Sequence, residues 1–477
     1  MADYAQVPST AKVQPKPFKV QVDANNIQSM KHLLAHSKIG PATYENQQTD
    51  RRFGMNRDWL IKAKKHWETT YDWRRCENHI NSFPNFTIPV TDPDGSEFTI
   101  HFLALFSTSP TAIPIAFFHG WPGSILEFLS MLDLIKKQYP DPSSLPYHII
   151  VPSLPGYAFS SAPPLDRDFK NEHIAPVMDA VMQALGFGDG YIAQGGDLGS
   201  FISRQLGVES ASCKAFHQNL FNLPPPANAS SLPISEIEKK GLERGKAFRD
   251  SGSAYAREHG TRTATIGLTL SSSPLALLSW IGEKFLEWTD EDPSLDEILD
   301  SVSLYWLTDT YARCIYPYRS MFASQSGPSS TPRFAKQSTK PQGYSYFPKE
   351  LYPTPVSWVK ECGNFVHVAS HERGGHFAAM ERPEDLWGDV EAFVERAWVK
   401  KDGAKTYLVF IALQCLAVPV GLLLSPPEKT SKPNTSVFRA RCLIGFLTNF
   451  SGILSSFLVS TLLDYKPWPV KKRLNVW

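Results

Sequence analysis

Gly195-Gly196-Asp197-Leu198-Gly199 follows the short apolar run Tyr191–Gln194 and precedes the amphipathic stretch Ser200–Leu206. An acidic residue set between small residues at a strand-to-helix junction has the form of a nucleophile elbow, with Asp where G-x-S-x-G has Ser. A turn this sharp needs crowded or positive backbone angles that glycine adopts cheaply. It lifts the central side chain into the cleft at the carboxyl edge of a sheet, by a helix N-terminus that favours negative charge. The plain alternative is an Asp helix cap after a glycine turn.

The surrounding chain favours the elbow. Ile113–Phe118 is an apolar run that stops at His119-Gly120, and Tyr147–Val151 is another, ending in Pro152 and the loop Ser153–Tyr157. Short apolar strands alternating with helical patterns predict an α/β fold with a buried, mostly parallel central sheet. Pro224-Pro225-Pro226 ends that regime, and residues 227–335 read as helical, for example over Ile234–Asp250, Pro274–Trp288 and Leu295–Trp306. A helical block between sheet strands is most simply a cap. Strand signals return at Gly343–Phe347 and Asn364–Ala369, before a helix over Pro383–Val399. Ahead of the sheet, residues 18–110 mix the helical segments Ile27–Ala35 and Trp59–Trp67 with strands such as Phe98–Leu105. The polar stretch 1–17, with Pro8, Pro15 and Pro17, reads as a flexible arm without the apolar region of a signal peptide. The expected organisation is an arm (1–17), an N-terminal extension (18–110), the core in two parts (111–223 and 336–400), a cap (224–335) and a tail (401–477).

Composition sets limits. The 477 residues are 42% hydrophobic and 12% aromatic, which excludes a mainly disordered chain. Lys plus Arg at 48 against Asp plus Glu at 47 gives no overall field for nucleic acid. The cysteines (Cys76, Cys213, Cys314, Cys362, Cys415, Cys442) are never closer than 27 residues, so no zinc or redox spacing exists. No metal and no cofactor are expected. The tail differs from the body: from residue 400 it carries 11 basic and 3 acidic residues. Its uncharged stretches 407–424 and 442–463 are candidate transmembrane helices, since about 20 helical residues cross a bilayer core. Gln414, Pro419, Asn449 and Gly452 weaken that reading, and a hairpin packed on the body is the alternative.

A carboxylate nucleophile forms an ester that must then be hydrolysed, which demands a histidine base, an acid to orient it and an oxyanion hole. His119-Gly120-Trp121-Pro122-Gly123 lies where a turn points the Trp121 backbone N–H, with that of Leu198, at a developing oxyanion; His119 reads as structural. His376 sits in a glycine-rich loop after the last expected strand, in the chain order nucleophile, acid, histidine. Glu350 follows a strand signal 26 residues before His376, while Glu372 shares the His376 loop. The strand-end position favours Glu350.

Residues from about 18 to 400 resemble the microsomal-type epoxide hydrolases of the α/β-hydrolase superfamily, the fungal ones especially. The resemblance rests on Ser37-Lys38-Ile39, Arg52-Phe53-Gly54, His119–Ser124, Pro152–Tyr157, Gly195–Ser200 and Gly374–Phe377, in this order and spacing. It implies an α/β-hydrolase fold and conversion of an epoxide and water to a vicinal diol through an aspartyl ester. It further implies Asp197 as nucleophile, His376 as base and Glu350 as charge-relay acid. Tyr255 and Tyr318 then hold and protonate the epoxide oxygen, with Tyr316 a lesser candidate for the place of Tyr318. Leu198 departs from the pattern, standing where many relatives carry Trp. That residue also bears on the same-fold rival, a haloalkane dehalogenase, which commonly grips halide with a Trp after the nucleophile. A non-catalytic, membrane-tethered binding protein is the other rival. The implied partners are a small-molecule epoxide and, through the tail, a membrane; a homodimer is left open and nucleic acid is not expected. The expected location is the endoplasmic reticulum membrane with a cytosolic catalytic body, the cytoplasm being the alternative. Detoxification and secondary metabolism both remain open.

Overall fold

The computed structural model describes residues 3–322 and 338–398, so the tail and its two candidate spans lie outside the described residues. Nine strands form one sheet: β1 (Lys16–Pro17), β2 (Asn85–Thr91), β3 (Glu97–Leu105), β4 (Ile113–Phe118), β5 (Tyr147–Pro152), β6 (Tyr191–Gly195), β7 (Cys213–Gln218), β8 (Gln342–Tyr346) and β9 (Phe365–Ser370). Their spatial order is β1-β2-β3-β5-β4-β6-β7-β8-β9. The pairs from β1 to β5 are antiparallel and the rest are parallel. The α/β-hydrolase fold that the resemblance implies is the fold observed. Every residue of β5 is buried, which is why it reads as continuous apolar sequence instead of alternating.

Register places the chemistry. Phe118, the last residue of β4, pairs with Gly195, the last of β6, so the His119–Ser124 turn and the Asp197 elbow leave the sheet side by side. At the far end Tyr346 of β8 pairs with Ser370 of β9, and the segments beyond them meet again where Lys349 bridges Gly375. Four loops therefore converge on the carboxyl edge of the sheet, where ligands bind in open α/β folds.

Helices from Glu236 to Phe322 cover that edge as the cap. Pro274–Trp288 starts at a Ser273 cap with Pro at its first turn, and Leu295–Leu307 starts with a reciprocal Ser294/Glu297 capping box. The N-terminal extension clasps the second of these. Trp67 Nε1 donates to Ser303 Oγ at 3.1 Å, and the Tyr71 hydroxyl to Asp300 Oδ1 at 2.8 Å. Arg75 adds a 2.8 Å ion pair to the same Asp300 carboxylate.

The start of the chain corrects an expectation. Within the segment read as a flexible arm, Tyr4 is buried and its hydroxyl donates to the Tyr139 carbonyl. Lys12 and Val13 donate backbone N–H groups to the Ala184 carbonyl at 2.8 and 3.1 Å, and Lys16–Pro17 pairs with β2. The prolines suit an extended path along the body, because each fixes φ and presents no N–H that needs a partner. Polar composition hid the single aromatic anchor.

Candidate active site

Asp197 is the first residue of the helix Asp197–Glu209 and has a φ of +43°. That conformation is costly for a residue with a Cβ and persists only where the surroundings over-determine it. The surroundings here are glycine. A Cβ on Gly195 would lie 2.1 Å from the Gly199 carbonyl oxygen, and one on Gly199 would lie 1.9 Å from that of Phe118. The elbow closes because neither exists. On the neighbouring turn a Cβ at Gly120 would lie 2.0 Å from Asp197 Oδ1, so Gly120 is what admits the carboxylate.

The Trp121 backbone N–H donates to Asp197 Oδ1 at 2.9 Å. Leu198, the other expected oxyanion donor, directly follows Asp197 in the first turn of the helix. On the other oxygen, His376 Nε2 stands 3.2 Å from Asp197 Oδ2, without the alignment of a hydrogen bond. His376 Nδ1 lies 2.6 Å from Glu350 Oε1, which also accepts the Leu351 N–H. Both His376 and Glu350 are buried, whereas Glu372 is exposed, so Glu350 is the acid that faces the base. Burial works against a charged His376, yet the two flanking carboxylates outweigh it and raise its pKa to about 10. The loop carrying His376 is pinned to the cap: the His376 N–H donates to the Trp288 carbonyl at 2.9 Å, and the Trp288 ring meets the imidazole edge-on at 5.2 Å.

Tyr255 and Tyr318 come from the cap, and both are buried. Their rings flank the Trp121 indole, Tyr255 stacked on it at 5.1 Å and Tyr318 edge-on at 6.0 Å, with 5.7 Å between the two phenol rings. Burial, with Asp197 adding, pushes both phenols well above their ordinary pKa. Both remain proton donors at neutral pH. Tyr316 is committed elsewhere, its hydroxyl donating to the Pro155 carbonyl at 3.0 Å. His119 accepts the Leu154 N–H at its Nε2, 3.2 Å away, and burial lowers its pKa to about 4, consistent with a structural part.

Two neighbours carried no signal in the sequence. His259 is fully buried against the Trp121, Tyr255 and Tyr318 rings, and its Nε2 lies 3.1 Å from Trp280 Nε1 and 2.9 Å from the Tyr311 hydroxyl. Burial, then Lys284, lowers its pKa to about 3, so it is a neutral packing group. Glu127, four residues past Gly123, lines the same small cavity as Asp197 and His376.

The family model for the epoxide hydrolase N terminus matches residues 15–128, and that for the alpha/beta hydrolase fold matches residues 113–216. A solved Aspergillus niger epoxide hydrolase is 47% identical, covers 83% of this chain and all of its own, and superposes with a TM-score of 0.76. This chain belongs to the epoxide hydrolase family. A Dothistroma septosporum protein provisionally named an epoxide hydrolase is 50% identical over 84% of this chain and 95% of its own. Epoxide hydrolase 1 of Sus scrofa is 28% identical over 80% of this chain and 88% of its own. The dehalogenase and binding-protein readings fall away: the chain is an epoxide hydrolase. Among the described residues of this epoxide hydrolase no single helix is long and apolar enough to cross a membrane.

Proposed function

We propose that this epoxide hydrolase works through a covalent ester on Asp197. The observation that supports it most is the succession Trp121 N–H, Asp197, His376, Glu350, with separations of 2.9, 3.2 and 2.6 Å. Tyr255 and Tyr318 donate hydrogen bonds to the epoxide oxygen and draw charge from the breaking C–O bond. Asp197 Oδ2 attacks a ring carbon while Oδ1 keeps the Trp121 N–H. The C–O bond breaks, the alkoxide takes a phenol proton, and a hydroxyalkyl ester remains.

Ester formation removes the Asp197 charge that helped hold a proton on His376, so burial then drives the imidazole towards its neutral, basic form, and the proton it gives up restores the phenolate to a phenol. His376, oriented by Glu350, takes a proton from water. The hydroxide oxygen bonds to the ester carbonyl carbon, and the oxyanion rests on the Trp121 and Leu198 N–H groups. Collapse releases the diol, protonated from His376, and leaves one water oxygen on Asp197. No metal or cofactor enters the scheme.

A single turnover of excess enzyme with styrene oxide in ¹⁸O-water tests it. The label should appear in the Asp197 peptide and not in the first diol released. Label directly in that diol would mean that water, and not Asp197, opens the ring.

Membrane attachment through the apolar stretches 407–424 and 442–463, with the body facing the cytosol, is the proposal for location. Release of the full-length protein from membranes by carbonate without detergent would refute it. A homodimer is proposed as its assembly, which light scattering on detergent-solubilised protein reads directly.

A further inference from the structure

The turn after β4 carries two glycines, and each accommodates a carboxylate. Gly120 makes room for Asp197, as described. A Cβ on Gly123 would lie 2.8 Å from Glu127 Oε2 and 3.2 Å from Oε1, so the Glu127 carboxyl lies flat against the bare face of Gly123. Glu127 sits in the single 3₁₀ turn Ile125–Phe128, capped by Ser124, and the Tyr305 hydroxyl fixes the Gly123 carbonyl at 2.9 Å. The backbone that carries the carboxyl is therefore held in place.

Glu127 has no structural work to explain it. Among the described residues its carboxyl makes no hydrogen bond and no ion pair, although burial, opposed by His376 and reinforced by Asp197, raises its pKa to about 8. The side chain is half-buried, with its carboxyl open to the cavity beside the nucleophile's turn. It instead lines a cavity of about 20 Å³ together with Asp197, His376, Asn219 and the Gly120–Trp121 backbone. One water needs roughly 10–15 Å³ and two to four polar partners, and this cavity supplies both.

We propose that Glu127 positions the hydrolytic water: its carboxyl oxygen accepts one water hydrogen while His376 Nε2 takes the other, which aims the water oxygen at the Asp197 ester carbon. Glu127 gains and loses no proton in the step; the proton that leaves water goes to His376 and then to the departing diol. The inference rests on the two-step scheme above and concerns only its second half.

The two halves are separated by stopped-flow single turnover of the full-length enzyme with styrene oxide, with quenched samples read by intact mass. Glu127→Leu keeps the volume and removes the acceptor. Ester hydrolysis should slow 10-fold or more while alkylation changes less than 3-fold, so the covalent adduct accumulates. Glu127→Gln retains an oxygen acceptor and should stay within about 3-fold of wild type in both steps. Should Glu127→Leu not fold, Glu127→Asp gives the same reading, because it withdraws the carboxyl by one methylene. Hydrolysis at the wild-type rate, or equal losses in both steps, would overturn the assignment to water. Absence of any adduct or diol from wild type would instead count against the ester scheme, so the two failures are distinct.

Discussion

Tyr316 and Tyr318 are two residues apart, both buried, and both are phenols the sequence offers as the second acid. The structure gives them different surroundings, and paired Phe variants separate the roles proposed for them. Tyr318 stands edge-on to Trp121, whose N–H holds the nucleophile, so Tyr318→Phe removes a donor whose bond strengthens as the alkoxide forms. Loss of a lone oxyanion donor costs about 10²–10³-fold in rate. Here the Tyr255 ring, 5.7 Å away, still offers its hydroxyl. The expected loss is therefore nearer 10-fold, or about 1.4 kcal/mol. Thermal stability should scarcely change. The double Tyr255→Phe/Tyr318→Phe variant should lose more than the product of the single losses, because nothing then covers for the missing donor.

Tyr316→Phe should show the reverse. It strands the buried Pro155 carbonyl, now held at 3.0 Å, for a stability loss of about 1–3 kcal/mol. The alkylation rate should stay within about 2-fold of wild type, since the Tyr316 hydroxyl is turned to the Pro155 loop. Stopped-flow alkylation by styrene oxide and calorimetric melting of the same preparations read the two quantities. Slow alkylation in Tyr316→Phe with a normal rate in Tyr318→Phe would refute the assignment of both tyrosines.

Three further outcomes follow from the same geometry. His376→Gln should alkylate and then stall, so an adduct of substrate mass should persist on Asp197; only unmodified protein after exposure to epoxide would contradict this. Gly120→Ala forces a Cβ to within 2.0 Å of Asp197 Oδ1 and should lower turnover at least about 100-fold in a folded protein, whereas wild-type turnover would show that the carboxylate has room to move. Asp197→Asn removes one of the two anions beside His376, so ¹⁵N NMR should find its imidazole pKa below the wild-type value; an unchanged value would remove the charge switch from the scheme. The sign extends to stability. Because His376 binds its proton more tightly in the folded protein, its pairing stabilises fully below an unfolded pKa of about 6.5 and is lost as pH rises towards about 10.

What the sequence disclosed, it disclosed through glycine and through strand ends. The contacts that force Gly195, Gly199 and Gly120 to lack side chains are the contacts that build the nucleophile's seat, so the motif and the geometry are one fact. Strand-end position also ranked Glu350 over Glu372, and Glu350 is the one placed beside His376: Lys349 bridges Gly375, which sets adjacent residues of the two loops side by side. Only the family resemblance, and no periodicity or spacing in the chain itself, ranked Tyr318 above Tyr316. They share a single 3₁₀ turn, where residues two apart point in different directions, and which direction faces the nucleophile depends on how the cap docks. Glu127 was invisible for a related reason, since its meaning depends on lying against Gly123. The buried Tyr4 was lost among polar and proline residues, where one aromatic carries little periodic weight.

In the proposed two-step scheme, the arrangement of charge would also keep the two half-reactions in order. In the resting site His376 lies between Asp197 and Glu350, 3.2 and 2.6 Å away, and the paired anions keep the imidazole protonated. A protonated imidazole cannot remove a proton from water, so the base is silent while the nucleophile is free. Alkylation turns Asp197 into a neutral ester, and Glu350 alone must then hold the charge on a fully buried ring. The same event that creates the ester thus releases the base needed to hydrolyse it. Regeneration of the Asp197 carboxylate restores the resting charge and silences the base again, so the state of one side chain times the whole cycle.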